Sequence, residues 1–90
     1  MVGMDEAEVF ARVTQVIAKV LDVDAARVTR ESHLVDDLGA DSIDRMTLVM
    51  AIEDAFQERV PEEQLPSFTT VGAIVSFITD RLRAANASSS

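Results

Sequence analysis

Ser42 is the residue whose position in this sequence is best suited to chemistry, because it directly follows Asp41 at the start of a helical pattern. Asp41 is a good helix N-cap, and Asp44 stands three residues later, as in a capping box. Ser42 is therefore predicted to lie in the first turn of a helix. Unpaired backbone N–H groups and the helix dipole make that position tolerant of a phosphate anion.

A nucleophilic serine in an enzyme needs a base positioned beside its hydroxyl. His33 is the only histidine and lies in a predicted connection. The sequence contains no Gly-x-Ser-x-Gly elbow and no Ser-His-Asp order. We therefore predict a chain that has no catalytic residues and is not an enzyme.

A calcium-binding loop is the alternative suggested by Asp22 and Asp24, which have the spacing of the first two EF-hand ligands. The pattern then requires an oxygen ligand, a glycine and a glutamate where the chain has Ala26, Arg27 and His33. All of these requirements fail, so no metal site is predicted.

Helices are the elements predicted to position Ser42. Apolar residues spaced three and four apart indicate three main helices, over residues 5–21, 41–57 and 70–83. Pro61 and Pro66 bracket at most one short helical turn, and residues 22–41 form a connection of a length that is usually functional. No segment has a strand pattern. The predicted fold class is all-α, a four-helix bundle with three main helices, one short third helix and a long loop between helices one and two.

The length of 90 residues fits one domain, which we place at residues 5–83, between a flexible N-terminus (1–4) and a disordered tail (84–90). No apolar run approaches the roughly 20 residues of a membrane span, and the acidic N-terminus lacks the order of a signal peptide. The absence of cysteine excludes disulfides. We expect a cytoplasmic monomer without membrane insertion.

The formal net charge of −8 argues against a nucleic-acid partner, because nucleic-acid phosphates would repel the chain. Residues 31–63 contain ten acids and two bases, a net charge of −8, whereas the rest of the chain holds six of each and sums to zero. Such a concentration of charge either keeps a small protein soluble or forms a docking surface that steers basic partners.

The second predicted helix has apolar residues on two opposite faces. The core face contains Leu48, Val49, Ile52 and Phe56. The opposite face contains Ile43, Met46 and Met50, beside Thr47 and Asp54. A helix in so small a domain can bury one face, so Ile43 and Met50 are predicted to be partly exposed. Because methionine suits a surface that adapts to several partners, we interpret this side as a partner-binding face.

The segment around Ser42 resembles the attachment motif of acyl carrier proteins, an Asp-Ser pair that opens the second helix after a Leu-Gly turn. In this chain the segment is Asp36-Asp37-Leu38-Gly39-Ala40-Asp41-Ser42. The similarity continues through residues 48–56, 60–63 and 68–71 and covers nearly everything from the first helix to Leu82. The Asp-Ser motif is weak by itself, but these downstream blocks and the charge pattern make the resemblance strong.

The resemblance implies an acyl-carrier-type bundle that holds acyl intermediates as thioesters, in fatty-acid or related lipid or polyketide biosynthesis. It implies 4′-phosphopantetheine as a cofactor, transferred from coenzyme A to the Ser42 hydroxyl by a phosphopantetheinyl transferase (holo-synthase). Gly39 would let the preceding turn bend and the transferase approach closely. The other partners it implies are acyl-transfer, ketosynthase, reductase and dehydratase enzymes with basic patches.

The same resemblance assigns roles to further residues. Those matching acidic contacts to partner enzymes are Asp41, Asp44, Glu53 and Asp54. Those matching apolar contacts are Ile43 and Met50, and we place Met46 on the same face. Those matching the wall of an acyl-chain cavity are Ile52, Val60, Phe68 and Ile74, for which core packing is the simpler interpretation.

Several positions depart from the family pattern. Arg45 replaces a small neutral residue, Thr47 and Ala55 stand where carriers of fatty-acid synthesis often have Glu, and Pro66 interrupts the short helix. A carrier for a specialised pathway therefore stays open as an interpretation. The sequence also does not determine the cargo or its chain length. Two alternatives also stay open. One is an aminoacyl or peptidyl carrier, and the other is an unmodified acidic helical interaction module.

Overall fold

Three α-helices form most of the fold: α1 over Glu6–Leu21, α2 over Ser42–Phe56 and α3 over Val71–Ser89. The structure, a computed structural model, describes the backbone of residues 5–89 and the side chains of residues 5–84. Over the described backbone there is no strand, and the one β-bridge is an isolated antiparallel pairing of His33 with Thr70. The all-α prediction is confirmed. The predicted flexible segment 1–4 lies outside the described residues.

Side chains cap the first turns of α1 and α3. Asp5 accepts a hydrogen bond from the Glu8 N–H at 2.9 Å, and Thr70 Oγ1 accepts one from the Ala73 N–H at 3.2 Å. Each bond satisfies one of the N–H groups that a helix start leaves unpaired. The predicted starts of both helices, at about residues 5 and 70, are confirmed.

Non-glycine residues in the left-handed conformation end α1 and α2. Asp22 has φ 57° and Gln57 has φ 54°. Their backbone N–H groups close the last turns by donating to the carbonyls of Ala18 and Glu53. Because this conformation costs about 1–2 kcal/mol for a residue with a Cβ, the surrounding structure and not local preference must hold these ends.

The core lies where the three helices face one another. Its fully buried side chains include Val9, Val13, Ile17, Leu48, Ile52, Ile74, Val75 and Ile78. These are positions of the apolar pattern that predicted the helices. Burial of a side chain of this size contributes about 1.5–3 kcal/mol, which makes this packing the main source of stability.

The long connection between α1 and α2 is fixed to the start of α3 by backbone hydrogen bonds. The Leu34 N–H donates to the Thr69 carbonyl at 2.9 Å, and the Val71 N–H donates to the Ser32 carbonyl at 3.0 Å. Leu34 is buried, together with Val28. The connection is therefore a structured part of the fold, and it fixes the position at which α2 begins.

The predicted short third helix is present as a 3₁₀ helix over Glu62–Ser67, with Pro66 inside it. Proline cannot donate the hydrogen bond that an α-helix interior requires, whereas a short 3₁₀ helix tolerates it. A second 3₁₀ turn, Ala25–Arg27, lies in the long connection. It was not predicted, because three residues are too few to show an apolar period.

The end of α3 corrects one prediction. The helix continues to Ser89, whereas the sequence predicted an end near Arg83 and a disordered tail over residues 84–90. Residues 84–89 contain no glycine or proline that would stop the helix, and three of them are alanines, the best helix formers.

Candidate functional site

Ser42 is the first residue of α2, and it is exposed. The carboxylate of Asp41 accepts a hydrogen bond from the Asp44 N–H at 2.8 Å, and the carboxylate of Asp44 accepts one from the Asp41 N–H at 3.2 Å. The predicted capping box is therefore present. It fixes the start of α2 at Ser42 and places two carboxylates at the end of the helix where the dipole stabilises negative charge.

Gly39 makes the turn that leads into Ser42. Its φ of +74° is in the left-handed region, which a residue with a Cβ adopts only at a cost. A Cβ at this position would meet no atom within 4 Å, so backbone conformation and not crowding favours glycine. The next residue, Ala40, is buried and donates its N–H to the Leu34 carbonyl at 2.9 Å. The predicted bend is confirmed, and the turn is anchored to the connection.

The Ser42 hydroxyl has no base as a hydrogen-bond partner within the part of the chain that the structure describes. No hydrogen bond joins Ser42 to a side chain among the described residues. His33 lies in the connection, where its Nδ1 accepts a hydrogen bond from the Asp36 N–H at 3.2 Å. The backbone N–H of His33 donates to the Asp37 carboxylate at 2.7 Å. The Ser42 hydroxyl is thus exposed, and His33, the one histidine of the sequence, has its hydrogen bonds within the connection.

An exposed apolar strip follows Ser42 along α2. Ile43, Met46 and Met50 are 74%, 65% and 66% exposed, which confirms the prediction that they lie away from the core. Their spacing of three and four residues places them on one face of the helix. We call this strip, with the carboxylates of Asp41 and Asp54, the α2 face.

The acids predicted to contact partners are not equivalent. Asp41 and Asp54 are exposed, whereas Asp44 is half-buried and occupied by the capping box. Glu53 is also half-buried, and its carboxylate accepts a hydrogen bond from the Val60 N–H at 2.8 Å. Asp41 and Asp54 therefore present their charge to solvent most fully, whereas Glu53 also stabilises the turn after α2.

A groove of about 440 Å³ lies beside Ser42, between α2 and the 3₁₀ helix Glu62–Ser67. Its apolar walls include Leu34, Leu48, Val49, Leu65, Phe68 and Ile74. Ser42, Met46 and Met50 also line it, so the groove adjoins the α2 face. Its volume is within the range of small-molecule sites in proteins, and its lining is suited to an aliphatic chain.

The four residues predicted to line an acyl-chain cavity lie in two places. Phe68 and Ile74 line the groove, but Ile52 and Val60 do not. Both are buried in the core, with Ile52 one turn beyond Leu48 and Val60 in the loop after α2. They lie towards the end of the helix opposite Ser42, so the groove does not reach them.

Sequence reasoning missed the part of the groove formed by the connection, the 3₁₀ helix and Arg45. Leu34 and Leu65 come from segments without a regular apolar period, so no sequence pattern indicated that they face Ser42. Arg45 was recognised only as a departure from the family. Its half-buried side chain lines the groove, and its Nη2 donates to the Leu65 carbonyl at 3.5 Å.

Comparison with known proteins identifies the family. The chain matches the family profile described as "Phosphopantetheine attachment site" over residues 11–78. It is 45% identical to an acyl carrier protein from Thermotoga maritima over 75 residues, which cover 83% of this chain and 93% of that protein. The chain belongs to the acyl carrier protein family.

Other members of the acyl carrier protein family agree in sequence and in fold. An acyl carrier protein from Helicobacter pylori is 46% identical over 71 residues, covering 79% of this chain and 91% of that protein. The solved structure of an acyl carrier protein from Enterococcus faecalis is 36% identical and superimposes with a TM-score of 0.71, covering 86% of this chain and 98% of that one. The predicted family and its helical fold are confirmed.

The cofactor of this family is covalently attached 4′-phosphopantetheine. The residues around Ser42 fit such a group, because an exposed hydroxyl at a helix start is accessible for attachment and tolerant of phosphate. The adjoining groove offers an apolar surface to what the arm carries. Within the part of the chain that the structure describes, no set of three carboxylate, histidine or cysteine residues is arranged to bind a metal. None of the described helices has both the length and the hydropathy needed to cross a bilayer.

Proposed function

We propose that this acyl carrier family member holds acyl groups on a phosphopantetheine arm attached to Ser42 and catalyses no step in their conversion. The observation that carries this proposal is the exposed Ser42 at the capped start of α2, inside the region matched by the attachment-site profile. The relatives that share this region are named acyl carrier proteins. We assign the chain to fatty-acid or related lipid or polyketide synthesis.

In loading, Ser42 Oγ would form a bond to the phosphorus that bears the pantetheine while the diphosphate bond of coenzyme A breaks. Adenosine 3′,5′-bisphosphate would leave, and the Ser42 proton would pass to a base. The base would come from the phosphopantetheinyl transferase, because no described side chain is hydrogen-bonded to Ser42 and the carboxylates of Asp41 and Asp44 are engaged in the capping box. When bound, the group supplies a terminal thiol that holds the cargo as a thioester. The contribution of the chain itself is the accessible hydroxyl and the fixed turn at Gly39.

The α2 face is the surface that we propose for docking the transferase and the acyl-transfer, ketosynthase, reductase and dehydratase enzymes. It combines exposed apolar side chains with carboxylates, in the segment that carries the whole net charge of −8. Long-range attraction by these acids would accelerate association with basic partners, and the methionines can adapt to surfaces of different shape. The thioester-bearing end of the arm is thereby presented to each enzyme in turn.

The groove is the part of the fold that we propose to shelter an aliphatic cargo. Phe68 and Ile74 lie in its wall, in agreement with two of the predicted cavity positions. An aminoacyl or peptidyl cargo would gain little from these apolar walls. Parallel loading reactions with fatty-acid-activating and amino-acid-activating enzymes would distinguish the two classes of cargo.

Intact-mass spectrometry tests the attachment directly. The purified apo-protein is incubated with coenzyme A and a phosphopantetheinyl transferase, and its mass is expected to increase by one phosphopantetheine. Ser42→Ala should abolish the increase. Ser76→Ala is the matched control, since Ser76 is an exposed serine on α3, and it should load as wild type does. An unmodified wild-type protein would instead favour the unmodified interaction module.

A further inference from the structure

Arg45 is a cation in the acidic part of this chain, and it has no ion-pair partner among the described residues. It lies on α2 three residues after Ser42, in the segment 31–63 whose only other base is Arg59. None of the ion pairs found among residues 5–84 includes Arg45, although ten acids occur in the same segment. Its charge is therefore available to another anion.

Arg45 is half-buried, and its guanidinium uses little of its hydrogen-bonding capacity. Its one hydrogen bond to the described structure runs from Nη2 to the Leu65 carbonyl, at the long distance of 3.5 Å. A guanidinium has five N–H donors in a rigid planar arrangement. Arg45 lines the groove and is only half-buried, so its remaining donors can reach an anion held beside the groove.

Ser42 and Arg45 line the same groove. Residues three apart on a helix have Cβ atoms about 5–6 Å from each other. Helical side chains also lean towards the N-terminus, which brings the Arg45 stem over the turn that begins with Ser42. A group attached to the Ser42 hydroxyl is thus within reach of the guanidinium.

We propose that Arg45 binds the phosphate of the group attached at Ser42 and thereby holds the attached arm against the groove. This role rests on the proposed attachment at Ser42. A phosphodiester carries one negative charge, and a planar guanidinium can donate to two of its oxygens at once. Enough donors remain for Arg45 to keep its bond to the Leu65 carbonyl. Arg45 is thus a positioning residue for the arm.

Thermal unfolding of apo and loaded protein tests this role. Loading should raise the Tm of wild type by about 2–5 °C, as expected for one partly exposed charge pair in a domain of this size. In Arg45→Gln the gain should fall below about 1 °C, and in Arg45→Lys, which keeps the charge but loses the planar fork, it should be intermediate. The wild-type gain should also shrink as salt is raised to about 0.5 M, because salt screens the pair.

Arg59→Gln is the matched control, because it removes the same charge from the acidic segment at an exposed residue that does not line the groove. Its gain on loading should equal that of wild type. Since each variant is compared with its own apo form, any loss of stability caused by the substitution cancels. In ³¹P NMR spectra of the loaded proteins, Arg45→Gln should shift the phosphodiester resonance relative to wild type, whereas Arg59→Gln should leave it in place.

An equal gain in Tm for wild type, Arg45→Gln and Arg59→Gln, with one common ³¹P resonance, would overturn the role of Arg45 while leaving the attachment intact. Intact mass is measured on every sample to separate the two proposals. A wild-type protein that acquires no phosphopantetheine would overturn both the attachment at Ser42 and the role of Arg45.

Discussion

The carboxylate of Glu53 accepts a hydrogen bond from the backbone N–H of Val60 at 2.8 Å, across the turn that follows α2. The bond spans the left-handed residue Gln57, which ends the helix. Val60 is buried, so its N–H has little access to water. An acid that the family resemblance assigns to partner binding therefore also holds together the turn between α2 and the 3₁₀ helix Glu62–Ser67.

Glu53→Ala should lower the free energy of unfolding by about 1–2 kcal/mol, because it leaves the Val60 N–H without its charged acceptor. Glu53→Gln should cost less, since the amide oxygen can still accept the bond. Urea unfolding of the apo-proteins measures both effects. Asp54→Ala is the control, because Asp54 is an exposed neighbouring acid, and it should change stability by less than about 0.5 kcal/mol. Equal effects of Glu53→Ala and Asp54→Ala would show that Glu53 acts only as surface charge.

Met50→Glu should lower the rate at which partner enzymes act on this protein without destabilising the fold, because Met50 is 66% exposed on the α2 face. We expect kcat/KM of the phosphopantetheinyl transferase to fall about five- to tenfold, the loss typical of one apolar contact at an interface. The free energy of unfolding should change by no more than about 0.5 kcal/mol.

Gln15→Glu provides the control for Met50→Glu, since Gln15 is exposed on α1 and the substitution adds the same charge. Transferase kinetics with this variant should match those of wild type. If the transferase modified Met50→Glu with the kcat/KM of wild type, the strip of Ile43, Met46 and Met50 would not be part of the transferase interface.

The helices could be predicted from sequence because their signals are local. Asp41 and Asp44 lie within one turn of each other, so their spacing alone indicates the capping box that the structure contains. The same holds for the exposed strip on α2, because a regular helix fixes which residues share a face. Ile43 and Met50 are on the solvent side for this reason.

The groove and its polar contacts could not be predicted in the same way, because they depend on segments without a period. Leu65 contributes a wall residue and an acceptor carbonyl from a 3₁₀ helix that contains a proline. Leu34 reaches the groove from the connection, which is held in place by backbone hydrogen bonds to the start of α3. Backbone hydrogen bonds of this kind carry no side-chain signature, so no sequence pattern indicated these parts of the groove.

Gly39→Ala should destabilise the turn before Ser42 by about 1–2 kcal/mol, because φ is +74° and a Cβ disfavours that conformation. The open space around Gly39 excludes a steric clash as a further cost. Gly39→Asn should cost less, since asparagine tolerates the left-handed region better than alanine. Thermal unfolding measures both variants, and each kcal/mol corresponds to about 4–8 °C in Tm. If Gly39→Ala were as stable as wild type, the turn must adopt another conformation at no cost in the free energy of unfolding. The rate of loading at Ser42 would then show whether the altered turn still exposes the hydroxyl.

Thr79→Val should stabilise the protein, because the Thr79 hydroxyl is buried in α3 and has no hydrogen-bond partner among the described residues. Position 79 follows Val75 by one helical turn, so it belongs to the apolar stripe of the helix. Valine has nearly the same shape as threonine and removes the desolvation cost of the hydroxyl, and we expect a gain of about 1 kcal/mol in the free energy of unfolding. Thr47→Val is the control, since Thr47 is exposed on a helix and its hydroxyl stays hydrated. Urea unfolding should show a higher midpoint for Thr79→Val alone, and an unchanged or lower midpoint would mean that the hydroxyl is satisfied within the core.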